Sequence, residues 1–398
     1  MKYDFTSIID RTGKDSLAVE VIPVPNAEIE DGFSRIPMWV ADMNFGTAPI
    51  IQERIIERTK HATFGYYNLS QEYYDSIINW HRIRNGVEGL PVEAIGYENG
   101  VLGCISSALQ AFTAPGESVL FHSPTYVGFT RVMADNGRHI VLSELKQDAE
   151  GIWRMDFEDM DRKLKEYKIH FAVLCSPHNP TGRVWEKEEI EQAMEVYRRN
   201  DCIVISDEIW SDLTLGDYRH IPTQTVSEDA RNRTIAIYAP SKTFNLAGLI
   251  GSYHIIYNPY LRDRVRKQSS LSHYNSMNVL SMHALAGAYS PDGQEWLDEL
   301  KQVLTDNADY AYCFITEHFD GVELARPQGT YMLYLDCSKW CKAHGCSMDE
   351  LLRAGIRVGV IWQDGRPFNK PDTIRMNLAL PRSLVEEALW RLKEYVFC

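Results

Sequence analysis

The chain is expected to fold as an α/β protein, with a large domain on a mainly parallel, seven-stranded sheet followed by a smaller α+β domain. Three observations predict this. From about residue 93 to 257, short apolar runs alternate with amphipathic stretches, the pattern of strand–helix units around a mainly parallel sheet. After Pro291 the alternation gives way to a long polar helical stretch. The length of 398 residues, 44% of them hydrophobic, is enough for a large core and two or three domain units.

The seven expected strands are Ala94–Tyr97, Ser118–Phe121, His139–Leu142, His170–Leu174, Cys202–Ser206, Thr234–Tyr238 and Ser252–Tyr257. Between them lie segments such as Glu186–Arg199, which opens acidic and closes on Arg198-Arg199, matching the helix dipole. Gln294–His318 reads as the long helix, with strands near Thr330–Asp336 and Thr373–Asn377. The last helix, Ser383–Phe397, carries Leu384, Val385, Ala388, Leu389 and Leu392 on one face. The expected division is an irregular N-terminal segment, 1–47, packing with the small domain, a large domain, 48–290, and a small C-terminal domain, 291–398.

A net charge of -14 argues against nucleic acid and anionic membranes as partners. The start, Met1-Lys-Tyr-Asp-Phe-Thr-Ser, lacks the apolar core of a secretory signal, and no apolar run approaches the roughly 20 residues of a membrane span. Cys175 and Cys202 read as small buried hydrophobes. Cys337, Cys341 and Cys346 with His344 match no paired zinc spacing, so no metal is expected. Free thiols fit a reducing, cytoplasmic setting.

In a parallel sheet, ligands bind at the carboxyl ends of the strands. Five groups stand at such ends. Asn99-Gly100-Val101-Leu102-Gly103 opens a helical run, where free N–H groups can cradle an anion; a plain strand-to-helix turn would look the same. Tyr126, in Ser123-Pro-Thr-Tyr, could stack on a flat ring or simply pack in the core. In Cys175-Ser-Pro-His-Asn179-Pro-Thr-Gly182 two prolines hold Asn179 as a directed polar group, or cap a turn. Asp207 ends an apolar strand and, desolvated there, needs a cationic partner. Lys242, in Ala-Pro-Ser241-Lys242-Thr, follows another buried strand, where desolvation lowers an amine's pKa and makes it a nucleophile and proton carrier.

In this order the five groups resemble the fold-type-I family of pyridoxal-phosphate enzymes, over essentially the whole chain. That resemblance implies a role for each. Asp207 would hold the pyridine nitrogen protonated. Lys242 would bind the aldehyde and later move the substrate's Cα proton. Tyr126 would cover one ring face, Asn179 would donate to the ring oxygen, and Val101, Leu102 and Ser241 would hold the phosphate. Four segments narrow the match: Pro37-Met-Trp39-Val-Ala-Asp-Met43, Phe64-Gly-Tyr66, Ser176-Pro-His-Asn-Pro-Thr-Gly-Arg-Val-Trp185 and Ala239-Pro-Ser-Lys-Thr-Phe-Asn-Leu-Ala-Gly248. These are similar to the carbon–sulfur lyases of the cystathionine β-lyase and cystalysin type. The likeness implies a homodimer in which Tyr66 reaches the neighbouring subunit's phosphate. It also implies that Arg375, in Thr-Ile-Arg375-Met-Asn377, clamps the substrate carboxylate as a bidentate fork. Trp210, beside the cofactor, stands where this group usually has histidine. Asn44 stands where an acidic residue is common, and with Trp39 it is a candidate substrate contact. Ile250 replaces the phosphate-binding arginine of many aminotransferases.

The implied activity is elimination from cystathionine, cysteine or cysteine S-conjugates to pyruvate, ammonia and a thiol. Transamination and racemisation use the same residues and remain alternatives, with Tyr126 the opposite-face acid for racemisation. A regulator-binding role without catalysis is a further reading.

Overall fold

The structure is a computed structural model and describes residues 1–271 and 275–398. Seven strands form the central sheet, numbered here in chain order: β1 Ile95–Glu98, β2 Ser118–Ser123, β3 His139–Glu144, β4 Phe171–Cys175, β5 Ile203–Asp207, β6 Thr234–Tyr238 and β7 Ser252–Ile255. Across the sheet the order is β1-β7-β6-β5-β4-β2-β3. β7 runs antiparallel to both neighbours and the other pairs are parallel. Each expected strand is present, with ends moved by a few residues. Every residue of β4 and β6 is buried, because helices cover both faces of a parallel sheet. β3 lies at the edge and has only one fully buried residue, Ser143.

The register sets the site. Cys175 pairs with Asp207, and Asp207 with Ile237, so β4, β5 and β6 end level with one another. Ser252, the first residue of antiparallel β7, pairs with Glu98, the last of β1. The segments after β1, β2, β4, β5 and β6 and the start of β7 therefore meet at one edge.

Helix ends follow their capping residues. Lys187–Arg199 begins after Glu186, whose backbone N–H donates to Glu189 at 2.9 Å. The long helix starts earlier than expected, at Pro291: Ser290 Oγ accepts from Gly293 N, and proline suits a first helical position. It ends at His318, as expected. The last helix spans Arg382–Tyr395 and buries Val385, Ala388, Leu389 and Leu392, with Leu384 partly buried.

After the long helix a small antiparallel sheet is built around β8 Met332–Asp336 and β9 Thr373–Asn377. The N-terminal segment is largely irregular apart from Leu17–Glu20. Ile36–Pro37 pairs in parallel with Val360–Ile361, and Asn377 N donates to Met38 O at 2.7 Å. Residues 36–38 are thus sewn to the small sheet. Nearer the terminus, Phe5 meets Phe45 edge-on at 5.3 Å and packs against Trp296 of the long helix. Two helices, Pro49–Thr59 and Gln71–Asn85, precede the alternating region and are not foreseen by the strand pattern. Among the described residues no helix is long and apolar enough to cross a membrane.

Candidate active site

A cavity of about 240 Å³ opens at the shared strand edge. Asn99–Gly103, Tyr126, Cys175, Asn179, Asp207, Trp210, Ser241, Lys242 and Ser252 all contribute to its wall. All five sequence groups therefore converge on one space.

The helix Val101–Phe112 starts at this wall. Gly100 has φ +82° and ψ 155°, a conformation that glycine adopts without a steric penalty. No side chain caps the helix, and its first internal bond joins Cys104 N to Gly100 O at 3.1 Å. The N–H groups of Val101, Leu102 and Gly103 are thus left for a ligand, at the positive end of the helix dipole. Ser241 faces the same cavity. Together they fit a phosphate.

Lys242 sits in the one-turn helix Pro240–Thr243 that follows β6. Its neighbour Thr243 donates to Asp212 at 3.0 Å, and Asp212 also accepts from Trp80 Nε1 at 3.0 Å. That buried tie fixes the turn. Lys242 Nζ donates to Ala41 O at 2.8 Å and lies 5.9 Å from the centre of the Trp210 ring. Burial lowers its pKa to about 8, helped by the charge of Arg375 and opposed by Asp42 and Asp207. The expected lowering at a strand end is therefore present.

Asp207 is 4% exposed and accepts one hydrogen bond, from Ile209 N at 3.1 Å. Burial raises its carboxyl to about 7, with Lys242 opposing. Among the described residues it forms no ion pair, and the Lys242 charge acts on it only from a distance. A protonated pyridine nitrogen in the cavity would supply the cationic partner expected from sequence. Asn179, 3% exposed, lies in a loop whose two X–Pro bonds are cis. Its Oδ1 accepts from Arg375 Nη1 at 3.0 Å, which leaves the amide NH2 as the donor. Tyr126 packs edge-on against Phe129 at 5.3 Å, and burial raises its pKa, so the phenol is neutral.

Arg375 comes from β9, opposite Tyr334 and Gln363 in register. It is 3% exposed and pairs with no carboxylate among the described residues. Besides Asn179 it donates to Trp39 O at 3.0 Å and to Gln363 Oε1, and its Nε has no partner. Burial pushes its pKa down to about 10. A buried guanidinium without a counter-charge calls for an anionic ligand.

The remaining candidates are placed differently. Trp210 is 2% exposed and meets Tyr331 edge-on at 4.8 Å, forming an apolar wall. Trp39 meets Arg375 through its carbonyl, while its indole donates to Ala18 O at 3.0 Å. Asn44 does not line the cavity; its amide donates to Pro37 O at 3.3 Å and accepts from Arg11 at 3.0 Å. Tyr66 is fully exposed and lines a separate surface cavity with Phe64, Tyr67 and Met277. It does not reach Lys242 within its own chain.

Sequence reasoning passed over Gln363 and Tyr331 and read Cys175 only as a small buried hydrophobe. Gln363 shows itself only through its pairing with Arg375 in the small sheet. The Tyr331 hydroxyl is buried without a partner beside Trp210. Cys175 lines the cavity as well as being buried. Gln363 and Tyr331 lie in no motif, so no local signal marks them, whereas Cys175 opens the segment that carries Asn179.

The site's likeness to known proteins extends over the whole chain. Residues 42–392 match the model of the aminotransferase class I and II family. Cystathionine beta-lyase PatB of Bacillus subtilis is 34% identical over 90% of this chain and 92% of its own. Among solved structures, cystalysin from Treponema denticola, which contains a pyridoxal 5'-phosphate cofactor, superimposes with a TM-score of 0.90. It is 28% identical and covers 99% of this chain and 98% of its own. The pyridoxal-phosphate-bound C–S lyase from Staphylococcus hominis gives a TM-score of 0.89 at 30% identity, over 98% of both chains.

Proposed function

The chain belongs to the class I and II aminotransferase family, and on that premise we propose that it is a pyridoxal-phosphate-dependent carbon–sulfur β-lyase. The substrates are cystathionine, cysteine or cysteine S-conjugates. The net reaction takes cysteine or an S-substituted cysteine and water to hydrogen sulfide or a thiol, with pyruvate and ammonium. The observation that carries the reading is the arrangement around one cavity of an uncapped helix start, a buried Asp207 and the Lys242 amine, with the buried Arg375, which pairs with no carboxylate among the described residues, held behind its wall through Asn179.

Bound pyridoxal phosphate supplies an electron sink that makes the Cα proton acidic and lets the Cβ–S bond break. The chain's own groups do the rest. Val101, Leu102 and Ser241 hold the phosphate, and Asp207 keeps the ring nitrogen protonated. Asn179 donates to the ring oxygen while its own Oδ1 is held by Arg375. Three N–H groups of Arg375 are engaged within the protein, leaving two of the guanidinium's five for a substrate carboxylate. Lys242, whose amine pKa burial pushes down to about 8, is the group that takes the Cα proton. Tyr126 and Trp210 wall off water.

Similarity to proteins named as lyases supports elimination over transamination, as does Ile250 in the place of an arginine used by many aminotransferases. Transamination is the second reading, favoured by the family model itself. We further infer a cytoplasmic homodimer. The full exposure of Tyr66 on an aromatic surface and the eight free cysteines support it. Holoenzyme given L-cystathionine should release pyruvate, and Lys242→Ala should not. Refolding Lys242→Ala chains with inactive Tyr66→Ala chains should restore roughly a quarter of wild-type pyruvate formation, since half the dimers then carry one intact site. Absence of pyruvate from every cysteine S-conjugate would sink the lyase reading, and absence of complementation the shared site.

A further inference from the structure

The N-terminal segment reaches the site through one side chain. Arg11 Nη2 meets Asp42 at 2.6 Å, with both side chains under 20% exposed. Its Nη1 donates to Met43 O at 3.1 Å and to Asn44 Oδ1 at 3.0 Å. Arg11 thus grips three successive residues of the loop 41–44. The same loop offers Ala41 O to the Lys242 ammonium, and Asn377 holds it from the other side through Val40 O and Asp42 O. Asp42 carries the negative charge in this loop, and Arg11 is its only ion-pair partner among the described residues.

We propose that Arg11 is a positioning residue: it seats the Ala41–Asn44 loop over Lys242 and neutralises Asp42, and so sets the protonation of the lysine amine. The inference rests on Lys242 being the reactive amine, not on the fate of the substrate. The charged groups that act on Lys242 are Arg375 from β9, Asp207 from the end of β5 and Asp42 from the loop. Asp42 in turn faces Arg11 and the neutral Tyr331 phenol. Arg375 favours the neutral amine while Asp42 and Asp207 favour the ammonium, and Arg11 screens Asp42 through their ion pair. Without Arg11 the bare carboxylate stabilises the ammonium form, and the amine's pKa rises.

The test reads the amine directly in cofactor-free protein. Pyridoxal phosphate is added at a series of pH values, trapped with borohydride after a short pulse, and its yield on the Lys242 peptide is measured by mass spectrometry. Arg11→Met should move the labelling curve up by about half a pH unit or more, roughly threefold less labelling on its rising limb. Arg11→Lys keeps the charge and should leave the curve near wild type. Arg11→Met/Asp42→Asn should bring it back to wild type or below, a reversal that general loosening cannot produce. A wild-type curve in Arg11→Met, or an unreversed shift in the double variant, would overturn the proposal. Lack of Lys242 labelling in the wild type would instead strike at the proposed function.

Discussion

Asp207 and Glu208 are adjacent buried carboxylates treated in opposite ways by the protein. Glu208 accepts from Ser206, Thr223, His220 and Tyr238, while Asp207 has one backbone donor and a face on the cavity. An unsatisfied carboxyl destabilises the cofactor-free fold wherever it is ionised. Its pKa is raised from 3.8 to about 7 on folding. The favourable contribution of the protonated group is therefore complete below about pH 4 and is lost as pH rises through 7. Cofactor-free Asp207→Asn should accordingly be more stable than wild type at pH 8, by about 1–3 kcal/mol, with the gap closing as pH falls toward 5. Urea unfolding at the two pH values measures this, and an unchanged gap would contradict it. Asp207 and Lys242 were legible in the sequence because each stands at the end of a largely apolar strand, where a buried charge is costly without a partner. Arg11 and Gln363 were not, since what they touch is set by folding: Gln363 meets Arg375 across the small sheet, and Arg11 meets a loop some 31–33 residues further on.

At the scale of elements, the helix Val127–Asp135 presents Tyr126 to the cavity from its N-cap. Gly128 leaves room for that ring: a Cβ there would lie 2.3 Å from Tyr126 Cε1 and 3.1 Å from Leu102 Cδ1. Gly128→Ala should push the phenol aside and disturb the phosphate-cradling turn. We expect at least about tenfold weaker pyridoxal phosphate binding, seen in absorbance titration, with the secondary structure intact. Wild-type affinity would show that the ring has somewhere else to go. The strands were readable because β4, β5 and β6 are nearly continuous apolar runs, as two-sided burial demands. The helix Pro49–Thr59 escaped notice because only Ile51 is fully buried, which leaves a weak period in its pattern. Strand ends shifted because they are set by pairing, as where Ser252 must meet Glu98.

Over the whole molecule, the site draws on the large sheet, the small sheet and the N-terminal segment at once. Arg375 of β9 grips Asn179 after β4 and the carbonyl of Trp39, so the substrate carboxylate would bind where all three meet. On the proposed reading the same assembly would serve elimination and transamination, and the two would differ in where the proton taken by Lys242 goes. The direct test supplies holoenzyme with excess L-cystathionine and no added keto acid, and follows pyruvate together with cofactor absorbance. Elimination predicts many pyruvates per site while the lysine-bound cofactor spectrum recovers unaided. A single keto acid per site, with the cofactor left in its amine form until another keto acid is added, would contradict the account.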